Sequence, residues 1–157
     1  MRQGARVGID VGRVRIGVSR SDLHGMLAVP VETVKRAHDG SDFARVRAIA
    51  AECDAIEIVV GLPLSLSGSH TASTEDAVAF ARGLAESVRV PVRLVDERLS
   101  TVSAQSALRA SGRNTKSSRS VIDQAAATVI LEQALEMERV SGRLPGTLVI
   151  PTIGPTS

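Results

Sequence analysis

Short apolar stretches predict five strands along the first hundred residues. The first three, residues 6–12, 15–20 and 27–34, follow one another through short turns and predict an antiparallel meander. The other two, residues 55–60 and 92–95, each come after a stretch with apolar residues at helical spacing. Because a helix between two strands favours parallel pairing, the pattern predicts an α/β fold. We expect a five-stranded mixed sheet, with a three-stranded antiparallel meander and two parallel strands, flanked by helices.

Apolar residues at helical spacing predict four helices. One follows the break at residues 39–42, one begins at a cap in residues 73–76, one covers residues 101–110, and one covers residues 118–139. Beyond these helices, prolines and glycines indicate a segment that need not fold. We therefore predict a single domain over residues 1–140 and a flexible tail over residues 141–157.

The composition is that of one globular domain. Of the 157 residues, 43% are hydrophobic and 23% are charged, which is ordinary for a chain with a single core. No apolar run approaches the ~20 residues that cross a bilayer, and residues 1–10 lack the apolar segment of a signal peptide. Cys53 is the only cysteine, which excludes an internal disulfide and a cysteine-rich metal cluster. We expect a cytoplasmic protein without membrane contact.

The basic residues favour contact with nucleic acid without establishing it. The net charge of +2 is mild, but 17 of the 19 basic residues are arginines, since only Lys35 and Lys116 are lysines. Arginine forks match phosphate oxygens, although a codon bias towards arginine would give the same composition. Aromatic residues make up 1% of the chain, so the stacking platforms of single-strand binders are almost absent. Any nucleic acid is therefore expected to be held by its backbone and shape.

Three acids stand at hydrophobic junctions far apart in the sequence. Asp10 lies near the end of the first strand, Glu97 follows the last strand, and Asp123 lies inside the apolar run of the last helix. Side chains at strand ends in α/β folds reach a crevice and not the core. Carboxylate oxygens are the ligands that Mg²⁺ and Mn²⁺ prefer, and two such ions can promote hydrolysis of a phosphodiester. The three acids together predict a two-metal site for Mg²⁺ or Mn²⁺.

Each acid also has an ordinary structural explanation. Asp10 could accept a hydrogen bond from the turn at Gly12. Strand alternation sends Asp96 and Glu97 to opposite faces, so only one of them is expected at the site. Asp123 could be a first-turn acid that the helix dipole stabilises. The prediction of a metal site therefore depends on the three acids being considered together.

Four motifs give the chain a resemblance to a known family. In chain order they are Gly8-Ile9-Asp10-Val11-Gly12 with Arg15-Ile16-Gly17-Val18, Val59-Val60-Gly61-Leu62-Pro63, Asp96-Glu97-Arg98-Leu99-Ser100-Thr101, and Ile122-Asp123-Gln124-Ala125-Ala126-Ala127. Together they resemble the motifs of the YqgF/RuvX family over about residues 6–138. Any one of them alone is weak, whereas four in order at suitable spacing are specific.

The resemblance implies an RNase H-like fold, related to the Holliday-junction resolvase RuvC, and metal-dependent cleavage of nucleic acid. It implies catalytic and metal-binding roles for Asp10, Glu97 and Asp123. The family is described as a nuclease of pre-16S ribosomal RNA, and some members as junction resolvases, so the expected partner is pre-rRNA or branched DNA. The chain departs from the family at Arg13-Val14, where members often have a Thr-Lys or similar pair, and at Arg20, where members have an apolar residue. Neither departure replaces one of the three acids.

Five basic residues are expected to contact nucleic acid. Arg15 and Arg98 flank the acids and would clamp phosphates, unless they are simply solvated or paired with acids. Arg113, Lys116 and Arg119 lie in a polar break before the last helix, which either contacts the nucleic-acid backbone or is only a soluble loop.

Two other classes of protein fit parts of the pattern. A non-catalytic nucleic-acid-binding module with the same fold would act in ribosome maturation or transcription, and the intact acids argue against it. An ATPase of the actin-like superfamily opens with a similar Gly-Ile-Asp-x-Gly strand, but it needs two such lobes and this chain is too short for both. Nothing in the sequence reveals an interface, so a monomer and a homodimer are both compatible with it.

Overall fold

The structure is a computed structural model that describes residues 1–97 and 115–151, with the side chains of residues 115–119 outside the description. The helix predicted over residues 101–110 therefore lies outside the described residues. In chain order, the elements are β1 (Arg6–Val11), β2 (Arg15–Ser21), β3 (Ala28–Lys35), α1 (Ser41–Glu52), β4 (Glu57–Leu62), α2 (Ala72–Ser87), β5 (Val92–Asp96), α3 (Thr115–Ser141) and β6 (Thr147–Leu148).

The strands form one mixed sheet in the order β3-β2-β1-β4-β5-β6. Strands β1, β4 and β5 are parallel, and β2 and β3 continue from β1 as an antiparallel meander. The predicted α/β architecture is thus confirmed, with one strand more than expected. The additional strand β6 pairs antiparallel with β5, where Leu148 lies opposite Arg93. A strand of two residues has no alternation that a sequence pattern can detect.

Helices cover both faces of the sheet. Helices α1 and α2 pack on one face with Ile9 and Val60, whereas Val59 and Val95 point to the other face and pack against Ile130 of α3. Successive residues of a strand point to opposite faces, so the same strands supply both cores. None of the described helices is long and apolar enough to cross a membrane.

The N-cap of helix α2 lies two residues before the predicted cap at residues 73–76. Thr71 is the N-cap, and its hydroxyl accepts a hydrogen bond from the backbone N–H of Thr74 at 3.3 Å. The hydroxyl of Thr74 in turn accepts from the backbone N–H of Thr71 at 2.9 Å. This reciprocal capping box ends the polar loop after β4 and fixes where the helix starts.

The segment that follows α3 is in contact with the sheet. The backbone N–H of Val149 donates to the carbonyl of Val92 at 2.8 Å, and the side chain of Val149 is buried. The Nε of Arg93 donates to the carbonyl of Pro145, also at 2.8 Å. The division into a domain that ends at residue 140 and a flexible tail stays a prediction, and residues 145–149 make these contacts with β5.

Strand β3 forms one edge of the sheet. Pro30 lies in this strand opposite Ser19, next to a register shift between Val18 and Ser19. Proline has no N–H to donate, so an edge strand accommodates it at little cost.

Charged residues are buried where β1 and β4 begin. This basal ion cluster consists of Arg2, Arg6, Glu57 and Glu138, and the last three are only 1%, 1% and 5% exposed. The Nη2 of Arg6 donates to Glu138 at 3.0 Å, while the Nη2 of Arg2 donates to Glu57 at 3.0 Å and to Glu138 at 2.7 Å. Burial opposes ionisation, yet hydrogen bonds from Arg2 and the charge of Arg6 lower the pKa of Glu138 to about 2. The cluster ties the N-terminal segment and β1 to α3.

Candidate metal and nucleic-acid site

Strand alternation places Asp10 and Glu97 on the face that α3 covers. Asp10 is two residues after Gly8, which faces the backbone of α3, and Glu97 is two residues after Val95, which packs on α3. Asp96, which lies between Val95 and Glu97, is exposed. This outcome agrees with the expectation that Asp96 and Glu97 point in opposite directions.

Two glycines allow α3 to lie directly on β1 and β2. A Cβ atom at Gly8 would lie 2.8 Å from the carbonyl oxygen of Ala127, and a Cβ atom at Gly17 would overlap the carbonyl oxygen of Asp123. Gly17 is the direct partner of Asp10 in the β1–β2 ladder. The backbone of Asp123 therefore rests on the residue next to Asp10, and the two acids are neighbours only because Gly17 has no side chain.

Polar contacts fix the position of α3 along the sheet. The hydroxyl of Ser19, which is fully buried, donates to the carbonyl of Ala127 at 2.8 Å. The side-chain amide of Gln124 donates to the hydroxyl of Thr33 at 3.1 Å, and that hydroxyl lies 2.8 Å from the hydroxyl of Ser120. These contacts lie on both sides of Asp123 along the helix, so they determine where its side chain is presented.

Asp10 is half-buried, and its carboxyl has no hydrogen-bond donor among the described residues. Burial raises its pKa from 3.8 to about 7, and the charge of Asp123 contributes to the increase. The backbone N–H of Gly12 donates to the carbonyl of Arg15 at 3.0 Å, so this turn is closed without Asp10. A hydrogen bond to Gly12 therefore does not explain why an acid occupies this position.

Glu97 is in a similar environment at the end of β5. Burial raises its pKa from 4.5 to about 8, and the charges of Asp10 and Asp96 contribute. Its Oε2 atom is buried and has no hydrogen-bond partner, and it lies against the Cα of Gly61. A buried carboxylate without a donor is unfavourable when ionised. Asp10 and Glu97 are therefore two neighbouring acids whose ionisation a bound cation would stabilise.

Asp123 has a partner, because its carboxylate forms an ion pair with the Nε of Arg15. Helix α3 begins at Thr115, so Asp123 lies well beyond the first turn and the helix dipole does not account for it. Arg15 is paired with an acid in this structure, which was one of the two alternatives for it. The Coulombic coupling of Asp10 to both Asp123 and Glu97 places these three acids in one region.

The carboxylate oxygens of these acids are suitable ligands for a hard divalent cation. Their side chains are nevertheless not yet arranged around one point in this structure. Within residues 1–97 and 115–151, no three His, Cys, Asp or Glu side chains are grouped closely enough to hold a metal ion. The buried Oε2 atom of Glu97 and the half-buried carboxyl of Asp10 are oxygen donors of the kind that Mg²⁺ or Mn²⁺ binds. Asp123 would complete the set once its carboxylate turned away from Arg15.

The other four basic residues predicted to bind nucleic acid cannot be placed in the same way. Arg98 and Arg113 lie outside the described residues. Lys116 and Arg119 belong to the first turns of α3, which therefore begins earlier than predicted, and their side chains lie outside the description. Contact of these four residues with nucleic acid stays a prediction.

The glycines that make the site possible were not predicted from the sequence. Gly8, Gly17 and Gly61 all occupy strand positions that face α3. An isolated glycine inside a strand often marks the close approach of another backbone or of a ligand. That signal was present in the sequence, but it does not tell which element approaches.

Replacing Gly61 with alanine tests the position of Glu97. The new methyl group would overlap Oε2 of Glu97, so we expect any catalytic activity that depends on the three acids to fall at least about a hundredfold, equal to roughly 3 kcal/mol of transition-state stabilisation. The overpacking should lower the free energy of unfolding by only about 1–3 kcal/mol. Ala81→Val is the matched control, because Ala81 is fully buried in the core on the other face. Equal losses of activity in the two variants would contradict the role given to Gly61.

Comparisons with known proteins identify the family of this chain and support its fold. The family model described as "RuvX: Holliday junction resolvase" matches residues 4–137. A protein of Leifsonia xyli subsp. xyli is 64% identical over 155 residues, covering 99% of this chain and 100% of the relative. A protein of Streptomyces coelicolor is 53% identical over 147 residues, covering 93% of this chain and 88% of the relative. Both carry the name "Putative pre-16S rRNA nuclease".

Among solved structures, RuvC of T. thermophilus in complex with a Holliday junction substrate is similar, with a TM-score of 0.51. The match covers 90% of this chain and 99% of that chain at 16% sequence identity. At this identity the likeness concerns the fold, and it confirms the RNase H-like architecture predicted from the motifs. Because the family model spans residues 4–137 and these relatives are more than half identical over nearly the whole chain, the chain belongs to the RuvX (YqgF) family.

Proposed function

We propose that this chain is a divalent-metal-dependent endonuclease that hydrolyses phosphodiester bonds of structured nucleic acid. The observation that carries the proposal is the pair of acids beneath α3. Asp10 and Glu97 are half-buried next to one another and have raised pKa values. Among the described residues, the carboxyl of Asp10 and the Oε2 atom of Glu97 have no hydrogen-bond donor of the kind that a purely structural acid would have. Strongly perturbed acids that serve no structural need are typical of catalytic sites.

This geometry supports a role for each of four residues. Asp10, Glu97 and Asp123 would hold Mg²⁺ or Mn²⁺, in a one- or two-ion site. A bound cation of this kind activates the attacking water and neutralises charge on the phosphate. The raised pKa values mean that Asp10 and Glu97 release protons when they take up the role of ligands. Arg15 pairs with Asp123 in this structure. Once Asp123 turned to the cation, the guanidinium of Arg15 would be free to donate to a phosphate oxygen.

The names of the relatives suggest the substrate. They name a nuclease of pre-16S rRNA, and the family description adds Holliday junction resolution. The proposed role is therefore processing of the 5′ end of pre-16S rRNA, Holliday junction resolution, or both. With only Phe43 and Phe80 as aromatic residues, the chain is suited to a substrate held by its backbone and shape. The cytoplasm as its location, a role in DNA recombination, and a monomeric or homodimeric state stay predictions from the sequence.

A cleavage assay with two substrates tests the proposal. The purified chain is incubated with a labelled pre-16S rRNA transcript or a labelled four-way DNA junction, in the presence of Mg²⁺, Mn²⁺ or excess EDTA. We expect specific products with at least one cation and none with EDTA, because the acids need a counter-cation to act on a phosphodiester. Comparing the two substrates also identifies the preferred one.

The same assay distinguishes the proposal from the non-catalytic alternative. Binding of either nucleic acid without products under every metal condition would show that the chain is a binding module. Products of equal yield in EDTA would contradict metal dependence and leave the acids without the proposed role.

A further inference from the structure

A cavity of about 500 Å³ opens at the same edge of the sheet as the acids, on the side of α1 and α2. We call it the lateral cavity. Its walls come from the β1–β2 turn, from the end of β3 with the segment after it, and from the first turns of α2. The lining residues that matter below are Arg13, Lys35, Arg36, His38 and Asp76. The volume is in the range of cavities that bind small ligands, so a phosphate with part of its sugar fits inside.

Arg36 joins the three walls of the lateral cavity. Its backbone N–H donates to the carbonyl of Val14 at 2.8 Å, and its Nη1 donates to the carbonyl of Gly12 at 3.1 Å and to Asp76 at 2.6 Å. Its guanidinium also lies 5.4 Å from the ring centre of Phe80. The β1–β2 turn, β3 and α2 are therefore held in fixed positions around the cavity. The charge of Asp76 is neutralised by this same arginine.

Arg13 and Lys35 line the lateral cavity, and their side chains have no hydrogen-bond or ion-pair partner among the described residues. Both are exposed. Because Arg36 and Asp76 cancel, Arg13 and Lys35 leave two uncompensated positive charges on the lining. Two unpaired cations at a preformed concave surface attract an anion, and a rigid site binds it with little ordering cost.

The lateral cavity lies close to the acids along the chain. Arg13 is three residues after Asp10, which is at most about 10 Å of extended chain. Lys35 is the direct ladder partner of Arg15, the residue that pairs with Asp123. The acids lie on the α3 side of this edge and the cavity on the opposite side. An anion with charges repeated along its length can therefore contact both places at once, which a single phosphate ion cannot do.

We propose that the lateral cavity is a binding subsite for a backbone phosphate of the nucleic acid, a short distance along the strand from the bond that is cut. The proposal rests on the proposed function, since it assigns the cavity to the same substrate. It adds a place where the protein holds the strand by charge and shape, independent of base identity.

The test is equilibrium binding in EDTA, which separates binding from cleavage. The dissociation constants of a labelled RNA hairpin and a labelled four-way DNA junction are measured over a range of salt concentrations. For Arg13→Ala/Lys35→Ala we expect affinity for the substrate to fall about tenfold or more. The slope of log affinity against log salt should become shallower by about two units for a duplex, because two phosphate contacts are lost. Both residues are exposed, so the unfolding curve should match that of the wild type.

The chain offers a matched control at the opposite edge. Arg47 and Arg89 also line a cavity of about 500 Å³, and both are exposed. The variant Arg47→Ala/Arg89→Ala loses the same charge and should change affinity by no more than about twofold. Equal weakening in both double variants would show a general effect of net charge and overturn the subsite, as would unchanged binding in Arg13→Ala/Lys35→Ala.

The outcomes also separate the subsite from the nuclease. If the cavity variant loses affinity but no cation supports cleavage by the wild type, the subsite stands and the nuclease proposal fails. If the wild type cleaves while the cavity variant binds as tightly as the wild type, the nuclease stands and the subsite fails.

Discussion

Asp10→Asn should abolish metal-dependent cleavage and at the same time stabilise the metal-free protein at alkaline pH. The amide keeps the shape of the carboxyl but removes its charge, so the variant loses a ligand on which the proposed chemistry depends. We expect activity to fall by at least about a thousandfold, which corresponds to roughly 4 kcal/mol of transition-state stabilisation. Binding of nucleic acid in EDTA should stay within about twofold to threefold of the wild type.

The stability of this variant depends on pH with a defined sign. The pKa of Asp10 is raised from 3.8 to about 7 in the folded protein, so the unfolded chain loses this proton at lower pH than the folded one. The free energy of unfolding therefore falls as pH rises from about 4 to about 7, by at most about 4 kcal/mol. Asparagine does not titrate, so the variant should be the more stable protein at about pH 8 in EDTA. At about pH 4 the two proteins should unfold alike.

Urea unfolding in EDTA at the two pH values checks this prediction, together with the cleavage assay. Asp96→Asn is the matched control, because Asp96 is the last residue of β5 and its side chain is exposed. Its activity should stay within a few-fold of the wild type. If Asp10→Asn instead lowered the free energy of unfolding at about pH 8, Asp10 would be a structural acid, and the prediction that it binds a metal ion would be wrong.

Glu138→Gln should lower the free energy of unfolding more than Asp10→Asn, Asp96→Asn or Glu136→Gln, which also each remove one negative charge. The substitution leaves Arg6, which is 1% exposed, next to an uncharged amide. Removing one partner of a buried ion pair costs roughly 3–5 kcal/mol, because the remaining charge stays buried without compensation. The affected bond also connects β1 to α3, so loss of the basal ion cluster weakens the packing of two layers.

The pH profile of unfolding provides a second readout for Glu138. Its pKa is lowered to about 2, so its contribution is complete above the unfolded pKa, near 4.5, and is lost as pH falls towards 2. The glutamine variant should lack this part of the acid transition. Glu136→Gln is the control on the same helix, since Glu136 is exposed and pairs only with Arg139 in the ion pairs observed. A surface pair of this kind contributes about 0.5 kcal/mol, and similar losses for the two variants would contradict the prediction.

Much of the fold was predictable because it follows from alternation and helical spacing. The meander, the two parallel strands and the helices on both faces all have hydrophobic patterns, and the structure confirms them. Strand β6 could not be predicted, because Thr147 and Leu148 form a strand only by pairing with β5. The basal ion cluster was equally inaccessible, since no local pattern indicates that Arg6 and Glu138 meet across 132 residues.

The candidate site was predictable in its residues but not in its geometry. Asp10, Glu97 and Asp123 stood out because acids are unusual at hydrophobic junctions, yet their roles stay proposals. The sequence could not show that Asp123 is paired with Arg15, because that contact depends on how closely α3 approaches β2. The approach depends in turn on Gly17, and the absence of a side chain has meaning only when the opposing helix is known.

The proline in edge strand β3 affects how readily the protein aggregates at high concentration. An exposed edge strand can recruit a strand from another molecule and start aggregation. In this chain the edge strand carries Pro30, which has no N–H to donate, and a register shift interrupts the ladder beside it. Prolines and bulges on an edge strand disfavour pairing with a strand of another molecule, so the edge that carries Pro30 is protected against fibril-like association.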